Sequence, residues 1–369
     1  MIMKKLTSYC SLNMGQSPDS KTYNTNGEGM PFYQGNADFG VIHPVTRVWC
    51  SQPVKKAKKG DILISVRAPI GAMNIAKEDC CIGRGLAALT PFAETSTEFL
   101  YYAVQSRVDS LIAQGTGSTF KAISKKVLEE TLLPSFSKKE QVDIIRKLGL
   151  VDSAIAERQK QLDLLKQLVK SRFIEMFIGQ GYPTKTIDEV SLVKGEYGAQ
   201  SASVEYDPSR PRYVRITDIN DDGTLNDDFV SSINPIDDEQ YRLEYGDFMF
   251  ARMGATVGKT YAFIEGNQIF AGYLIRYKLN QQLINPRYLY WYTRLDEYWN
   301  WVKLNQSGAA QPGINAKKYG SLQVPVPPME LQEQFAAFVK QTDKSKFEIQ
   351  KSLDELEILK KSLMQQYFG

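Results

Sequence analysis

Gly60-Asp61-Ile62-Leu63-Ile64-Ser65-Val66-Arg67-Ala68-Pro69-Ile70-Gly71 decides the fold, because the chain repeats it. The second version reads Gly246-Asp247-Phe248-Met249-Phe250-Ala251-Arg252-Met253-Gly254-Ala255-Thr256-Val257-Gly258. Outward from this pair the likeness continues. Phe99-Leu100-Tyr101-Tyr102 recurs as Tyr288-Leu289-Tyr290-Trp291, and the loop Gly115-Thr116-Gly117-Ser118-Thr119 as Ser307-Gly308-Ala309-Ala310-Gln311. Each half then leaves through a proline (Leu133-Pro134 and Val324-Pro325) and reaches a Glu-Gln pair (Glu140-Gln141 and Glu333-Gln334) that opens a long helical stretch. The offset between matched positions stays between 186 and 193 along the whole length. A whole module is therefore duplicated, which is not the period of about 20–50 residues that builds solenoids.

The chain has 369 residues, 24% charged and 43% hydrophobic, enough for two globular domains with sizeable cores. No run of about 18 apolar residues is present, so a membrane span is not expected. The N-terminal Met1-Ile2-Met3-Lys4-Lys5-Leu6 lacks the apolar centre of a signal peptide. Cys10, Cys50, Cys80 and Cys81 have no metal-type spacing and all fall in the first half. A disulfide framework would have duplicated with the module, so a reducing cytoplasm is expected. Net charge is +3, too weak for whole-chain steering of a polyanion. Residues 1–135 carry +4, 136–182 carry +3, 183–327 carry −3 and 328–369 carry −1. Any nucleic-acid contact must rest on local patches.

Four segments follow from these patterns. Residues 1–135 form a first globular domain, with strand-like runs at Ile62–Val66 and Ala87–Leu89 and a helix near Thr97–Ala113. Residues 136–182 hold one long helix, with Ser137 and Glu140 at capping-box spacing. Its apolar positions Ile155, Leu162, Leu165, Val169, Phe173 and Met176 advance by 7, 3, 4, 4 and 3, a narrow seam. Gly179, Gly181 and Pro183 end it. Residues 183–327 form a second domain, with strand-like runs at Phe248–Ala251 and Leu274–Leu279 and a turn at Asp222-Gly223. Residues 328–369 hold a second long helix with Phe347, Leu353, Leu356, Leu359 and Leu363 as its seam. A narrow seam suits a helical partner better than a broad domain face, so the two helices are expected to pack on each other. About 40 residues at about 1.5 Å each span roughly 60 Å, and an antiparallel pair would relate the two domains by a pseudo-twofold. The fold class expected is α+β, with two duplicated α/β domains separated by an antiparallel coiled coil.

Catalytic patterns are missing. Gly254-Ala255-Thr256-Val257-Gly258-Lys259-Thr260 resembles a phosphate-binding loop, but the required first glycine is replaced by Met253. The first copy also lacks a lysine at the position matching Lys259. The single histidine, His43, precedes Pro44 and supports neither a zinc-binding helix nor a convincing triad. Neither copy carries a nuclease-like Asp…Glu-x-Lys cluster or a methyltransferase tetrapeptide. No catalytic residue, metal or cofactor is expected. This chain binds.

The binding signals are local. Lys55-Lys56-Ala57-Lys58-Lys59 is a basic run suited either to phosphate contact or to a solvated loop. The loop 115–121 offers Ser118, Thr119 and Lys121, and its counterpart 307–315 offers Gln311 and Asn315; amide side chains can pair bidentately with adenine. Arg67 and Arg252 lie one position apart in the aligned repeat, each just beyond a strand, where arginine can bind phosphate or guanine or simply pair with a carboxylate.

The order and duplication of these elements resemble the specificity subunit of type I restriction–modification systems, over essentially the whole chain. The stretch Pro31-Phe32-Tyr33-Gln34-Gly35-Asn36 and the Gly-Thr-Gly-Ser-Thr-Phe-Lys loop ending at Lys121 belong to the likeness. The resemblance implies two target-recognition domains in inverted orientation, each reading one half of a bipartite double-stranded DNA site. It implies that the helices act as a ruler for the unread spacer and dock two methyltransferase subunits, with motor-endonuclease subunits in the full complex. It also implies no catalytic activity in this subunit. A related system with a fused methyltransferase-nuclease is the alternative, and a nucleotide-binding enzyme of the P-loop type is the more distant one. The positions expected to face DNA are Gln34, Asn36, Arg67, Ser118, Thr119, Lys121, Arg215, Arg252, Lys259, Gln311 and Asn315. Those expected to pack helix on helix are Ile155, Leu162, Leu165, Val169, Leu353, Leu356, Leu359 and Leu363.

Overall fold

The computed structural model describes residues 2–117, 121–233, 239–308 and 312–369. It divides into two compact units, residues 1–159 with 351–369, and residues 160–350. Each unit therefore takes one globular body and half of each long helix.

In the first unit the main sheet contains β1 (Cys10–Met14), β2 (Ile62–Ser65), β3 (Met73–Ile75) and β4 (Leu86–Pro91) in the spatial order β1-β4-β2-β3. In the second, β5 (Ser191–Tyr197), β6 (Asp247–Ala251), β7 (Thr260–Ala262) and β8 (Leu274–Leu279) take the order β5-β8-β6-β7, the same topology. A second sheet of shorter strands in each unit, five-stranded in the first and four-stranded in the second, contains one parallel pair: Met30–Tyr33 beside Cys80–Ile82, and Arg212–Val214 beside Gln268–Phe270. A two-stranded ribbon joins the ends of each body, Met3–Lys5 to Leu132–Pro134 and Thr184–Thr186 to Gln323–Pro325. All three sheets are duplicated.

The repeated Gly-Asp-apolar stretch has a physical reading. Gly60 and Gly246 sit at φ 88° and 99°, where a side chain would be strained. The following aspartate is buried and closes the turn: Asp61 Oδ2 accepts the Lys58 N–H at 2.8 Å, and Asp247 Oδ2 that of Glu244 at 2.9 Å. The strand then alternates between two cores. Ile62 and Ile64 face Phe99 and Leu100, while Leu63 faces Tyr33 and Ile82 of the second sheet. Phe248 and Phe250 face Tyr288, while Met249 and Ala251 face Val214 and Phe270. A strand covered on both faces needs apolar residues at every position, which is why the run does not alternate with polar ones. Each such large side chain contributes about 1.5–3 kcal/mol on burial.

The long helices are α1 (Lys138–Phe177) and α2 (Met329–Phe368). Ser137 and Glu140 form the expected capping box, with Ser137 N and Oγ donating to Glu140 at 2.8 and 2.7 Å. In the first unit, Lys147 meets Tyr367, Asp152 meets Lys360 and Arg158 meets Ser352. One number rises as the other falls, so the helices run antiparallel. In the second unit Phe173 and Phe177 pack edge-on against Phe335 at 5.2 and 5.6 Å. Leu162, Val169 and Leu353 are buried, and Ile155, Leu165, Leu356 and Leu363 half-buried. Leu359 is 46% exposed and Phe347 68%, so both lie off the seam. Beside Leu359, Lys360 turns inward to Asp152 on the other helix, and a one-residue step moves a helical side chain by about 100°; beside Phe347, Lys346 pairs with Asp343 one turn back on its own helix. The matched glutamines are also shifted. Gln141 and Gln332, both buried, each donate to the carbonyl five residues earlier, Phe136 at 3.1 Å and Pro327 at 2.8 Å.

Candidate nucleic-acid interface

The same three segments converge at the end of β2 and of β6. Val66 N donates to Gly85 O, Ala68 N to Lys121 O and Ile123 N to Val66 O, at 2.9, 3.0 and 2.9 Å. In the second unit Arg252 N donates to Tyr273 O, Gly254 N to Pro312 O and Ile314 N to Arg252 O, at 3.1, 2.9 and 2.9 Å. The polar loops close alike: Thr116 and Ala122 exchange two backbone hydrogen bonds, as do Ser307 and Gly313. By this register Arg67 matches Met253, Arg252 matches Val66, and Lys121 matches Pro312. Ser118, Thr119 and Gln311 lie outside the described residues.

A tight turn forms the facing wall. Asp38 Oδ2 accepts the Gln34 N–H at 2.7 Å, and Asp218 Oδ2 that of Arg215 at 2.8 Å. Between turn and strand end lies a cavity of about 240 Å³ in the first unit, lined by Gln34, Asn36, Ser65, Arg67 and Arg84. The corresponding cavity in the second unit is about 590 Å³, lined by Gln200, Ser201, Arg215, Thr217, Arg252 and Tyr273. Of the residues expected from the sequence, Gln34, Asn36 and Arg67 meet in one cavity and Arg215 and Arg252 in the other. Lys121 is exposed on the closed loop beside Ala68, which also lines the first cavity.

Two expected residues are engaged elsewhere. Lys259 Nζ lies 2.8 Å from Asp221 and 3.1 Å from the Ile219 carbonyl, with only a fifth of its side chain exposed. Asn315 caps a short helix, its side chain accepting the Lys318 N–H at 2.9 Å, as Ser124 does for Val127 in the first unit. The turn that resembled a phosphate loop uses its donors internally: Gly258 N donates to Ala251 O and to the Tyr319 hydroxyl, both at 3.1 Å. That leaves it no phosphate cradle at Gly258.

The arginines differ in their electrostatics. Arg215 donates twice to Asp218, at 3.1 and 2.8 Å, and the buried carboxylate offsets its charge. Arg252 instead lies over two rings, its guanidinium carbon 4.8 Å from the centre of Tyr197 and 5.7 Å from that of Tyr273. Its Nε is buried with no acceptor among the described residues. Behind the strand, burial pushes the carboxyls of Asp61 and Asp247 above their ordinary value; Arg276, 3.5 Å from Asp247, pulls only the second partly back.

Sequence reasoning missed Arg84, Gln200 and Tyr273. Extending the repeat would have found two of them, since Gly83-Arg84-Gly85-Leu86 aligns with Ala271-Gly272-Tyr273-Leu274 and both lead into matched strands. Gln200 sits on the segment after β5 and carries no comparable signal. Among the described residues no group of His, Cys, Asp or Glu is placed to hold a metal ion, and no helix is long and apolar enough to cross a membrane.

The chain is thus two copies of one module, each with a concave polar site beside a closed loop and each carrying half of both long helices. Residues 2–167 and 181–358 each match the family described as the type I restriction modification DNA specificity domain, and the chain belongs to that family. It is 40% identical over 163 residues to a Methanocaldococcus jannaschii protein provisionally named the specificity subunit of type I restriction enzyme MjaX, covering 44% of this chain and 38% of that one. It is 23% identical over 245 residues to the MjaIX specificity subunit of the same organism, covering 58% and 57%. The matches thus span less than two thirds of either relative's length. The crystal structure of the type I restriction-modification S subunit from M. genitalium shares the fold over 100% of this chain and 96% of its own, with TM-score 0.58 and 17% identity.

Proposed function

We propose that this chain is the sequence-reading subunit of a type I DNA methyltransferase and restriction complex. Each unit reads one half of a bipartite double-stranded DNA target through its cavity and closed loop, and α1 and α2 set the length of the unread spacer. The observation that supports this most is the recurrence of the same cavity, at the same strand end, in both copies. Arg67, Arg84 and Lys121 supply cationic donors in the first unit and Arg215 and Arg252 in the second, alongside amide and hydroxyl groups suited to base edges. Lys259 serves the interface indirectly, by holding the turn around Asp221.

The chain carries no chemistry of its own; methylation and cleavage belong to partner subunits in the cytoplasm. Two methyltransferase subunits dock on the helices, where Val142, Leu150, Leu164, Leu168, Phe347 and Ile358 are all at least half exposed. Motor-endonuclease subunits complete the complex.

The test is a methylation map of cellular DNA with and without this chain, in cells that express its partner subunits. Loss of one bipartite methylated motif is expected on deletion, and an unchanged map would refute the reading. Lengthening both helices by matching insertions should lengthen the spacer of the surviving motif. An unchanged spacer would remove the ruler from the proposal.

A further inference from the structure

The two cavities are built from equivalent segments, yet they present different chemistry at the strand end. The first unit has the aliphatic Val66 where the second has Arg252. Val66 is buried, whereas Arg252 borders the cavity. Its guanidinium lies over both the Tyr197 and the Tyr273 rings, and Tyr273 itself stands where the first unit has Gly85. An arginine that serves only the fold finds a carboxylate or carbonyl, as Arg276 does with Glu196 and the Arg242 carbonyl. Arg252 has been given aromatic faces instead, and its buried Nε has no acceptor among the described residues.

Stacking fixes the guanidinium plane without consuming its edge donors. A planar cation held this way, with its terminal N–H groups making no hydrogen bond among the described residues, fits an acceptor pair lying in one plane. In the major groove that pair is O6 and N7 of guanine. A phosphate contact does not need this arrangement: it is served by mobile cations at an exposed rim, of which Lys121 is the example in the first unit. The stacked rings also oppose the reorientation that a phosphate-seeking arginine would use.

We infer that Arg252 determines specificity in the second half-site by reading a guanine, and that the first unit has no equivalent reader at Val66. The inference rests on the proposal that the second unit reads DNA. It predicts that the two half-sites are recognised by different chemistry despite the common fold.

The experiment uses the full chain assembled with its methyltransferase subunits, selecting duplexes from a pool randomised at both half-sites. Wild type, Arg252→Lys and Arg252→Ala are compared, because lysine keeps the charge but lacks the planar fork. Both variants should lose guanine preference at one position of one half-site by roughly 10- to 100-fold, with the other half-site unchanged. The unchanged half reports a folded, bound complex. If Arg252→Lys keeps every base preference, or if both halves weaken together in a protein that still melts cooperatively, the inference fails and Arg252 serves general affinity. If the wild-type complex selects no bipartite motif at all, the proposed function has failed instead.

Discussion

The first unit ends its central strand with Arg67 exposed beside a lysine-bearing loop, over a cavity of about 240 Å³. The second ends the same strand with a stacked Tyr197–Arg252–Tyr273 arrangement over a cavity of about 590 Å³. The backbone hydrogen bonds at the two strand ends join matched positions, whereas Gly85 N to Gln34 O in the first unit and Gly272 N to Ala199 O in the second have no counterpart, so the two sites differ in their side chains and in the seating of the facing wall. Duplication here preserves the frame and frees the contents. The interior follows the same rule. Where the first unit has Ala88 paired opposite Leu63, the second has Arg276 opposite Met249, and that arginine lies against the buried aspartate the two units share.

The largest expected difference is at the helix junction. The buried glutamines put Ile144 of the first unit in register with Phe335 of the second. Phe335 is fully buried among Phe173, Phe177 and Trp291, so Phe335→Ala should cost about 3–5 kcal/mol in denaturant unfolding. Ile144→Val removes one methylene and should cost about 0.5–1.5 kcal/mol. Equal losses would mean that the two junctions are energetically alike despite their composition.

The buried aspartates come next. Asp61→Asn keeps an oxygen for the Lys58 N–H and removes a buried charge that has no ion pair among the described residues, so stability at pH 7 should hold or rise by under about 1 kcal/mol. Asp247→Asn withdraws a carboxylate from Arg276, which is 6% exposed and keeps Glu196 as its remaining anion; a loss of about 1–3 kcal/mol is expected. The pH dependence gives a second readout. Burial raises both carboxyls, so the folded state holds each proton more tightly than the unfolded chain does. This contribution is present at acid pH and is lost as pH rises from about 4 through the raised value. Each substitution should flatten that decline. A decline that survives Asp61→Asn would show that another group causes it.

Much of this is legible in the sequence. The two copies, the paired helices and the matched loops follow from the repeat, because a strand buried on both faces leaves an unmistakable apolar run after Gly-Asp. What stayed hidden depends on single positions. Leu359 looked like a seam residue because its inward-turning neighbour, Lys360, is polar, and an ion pair with Asp152 leaves no trace in an apolar pattern. Lys259 looked free because nothing in sequence brings Asp221 to it. The cavities were invisible for a related reason. Their walls come from separate stretches of chain, around Gln34, Arg67 and Arg84 in the first unit and around Gln200, Arg215, Arg252 and Tyr273 in the second, held by backbone hydrogen bonds that tolerate any side chain.

The smallest effect separates the two lysines. Both resembled DNA contacts, but Lys121 is exposed on its loop while Lys259 holds Asp221 and the Ile219 carbonyl. An exposed lysine that neutralises a phosphate releases about one counterion, so Lys121→Ala should weaken binding to all duplexes and lower the salt slope by about 1. Lys259→Ala should leave that slope unchanged, since its charge is already matched within the protein. Its loss instead leaves a carbonyl and a carboxylate without their donor, a stability cost of about 1 kcal/mol. Binding measured from 50 to 200 mM salt decides between them. A slope lowered by Lys259→Ala would mean that the ion pair with Asp221 opens on DNA, and that the two units use their strand ends more alike than their free structures suggest.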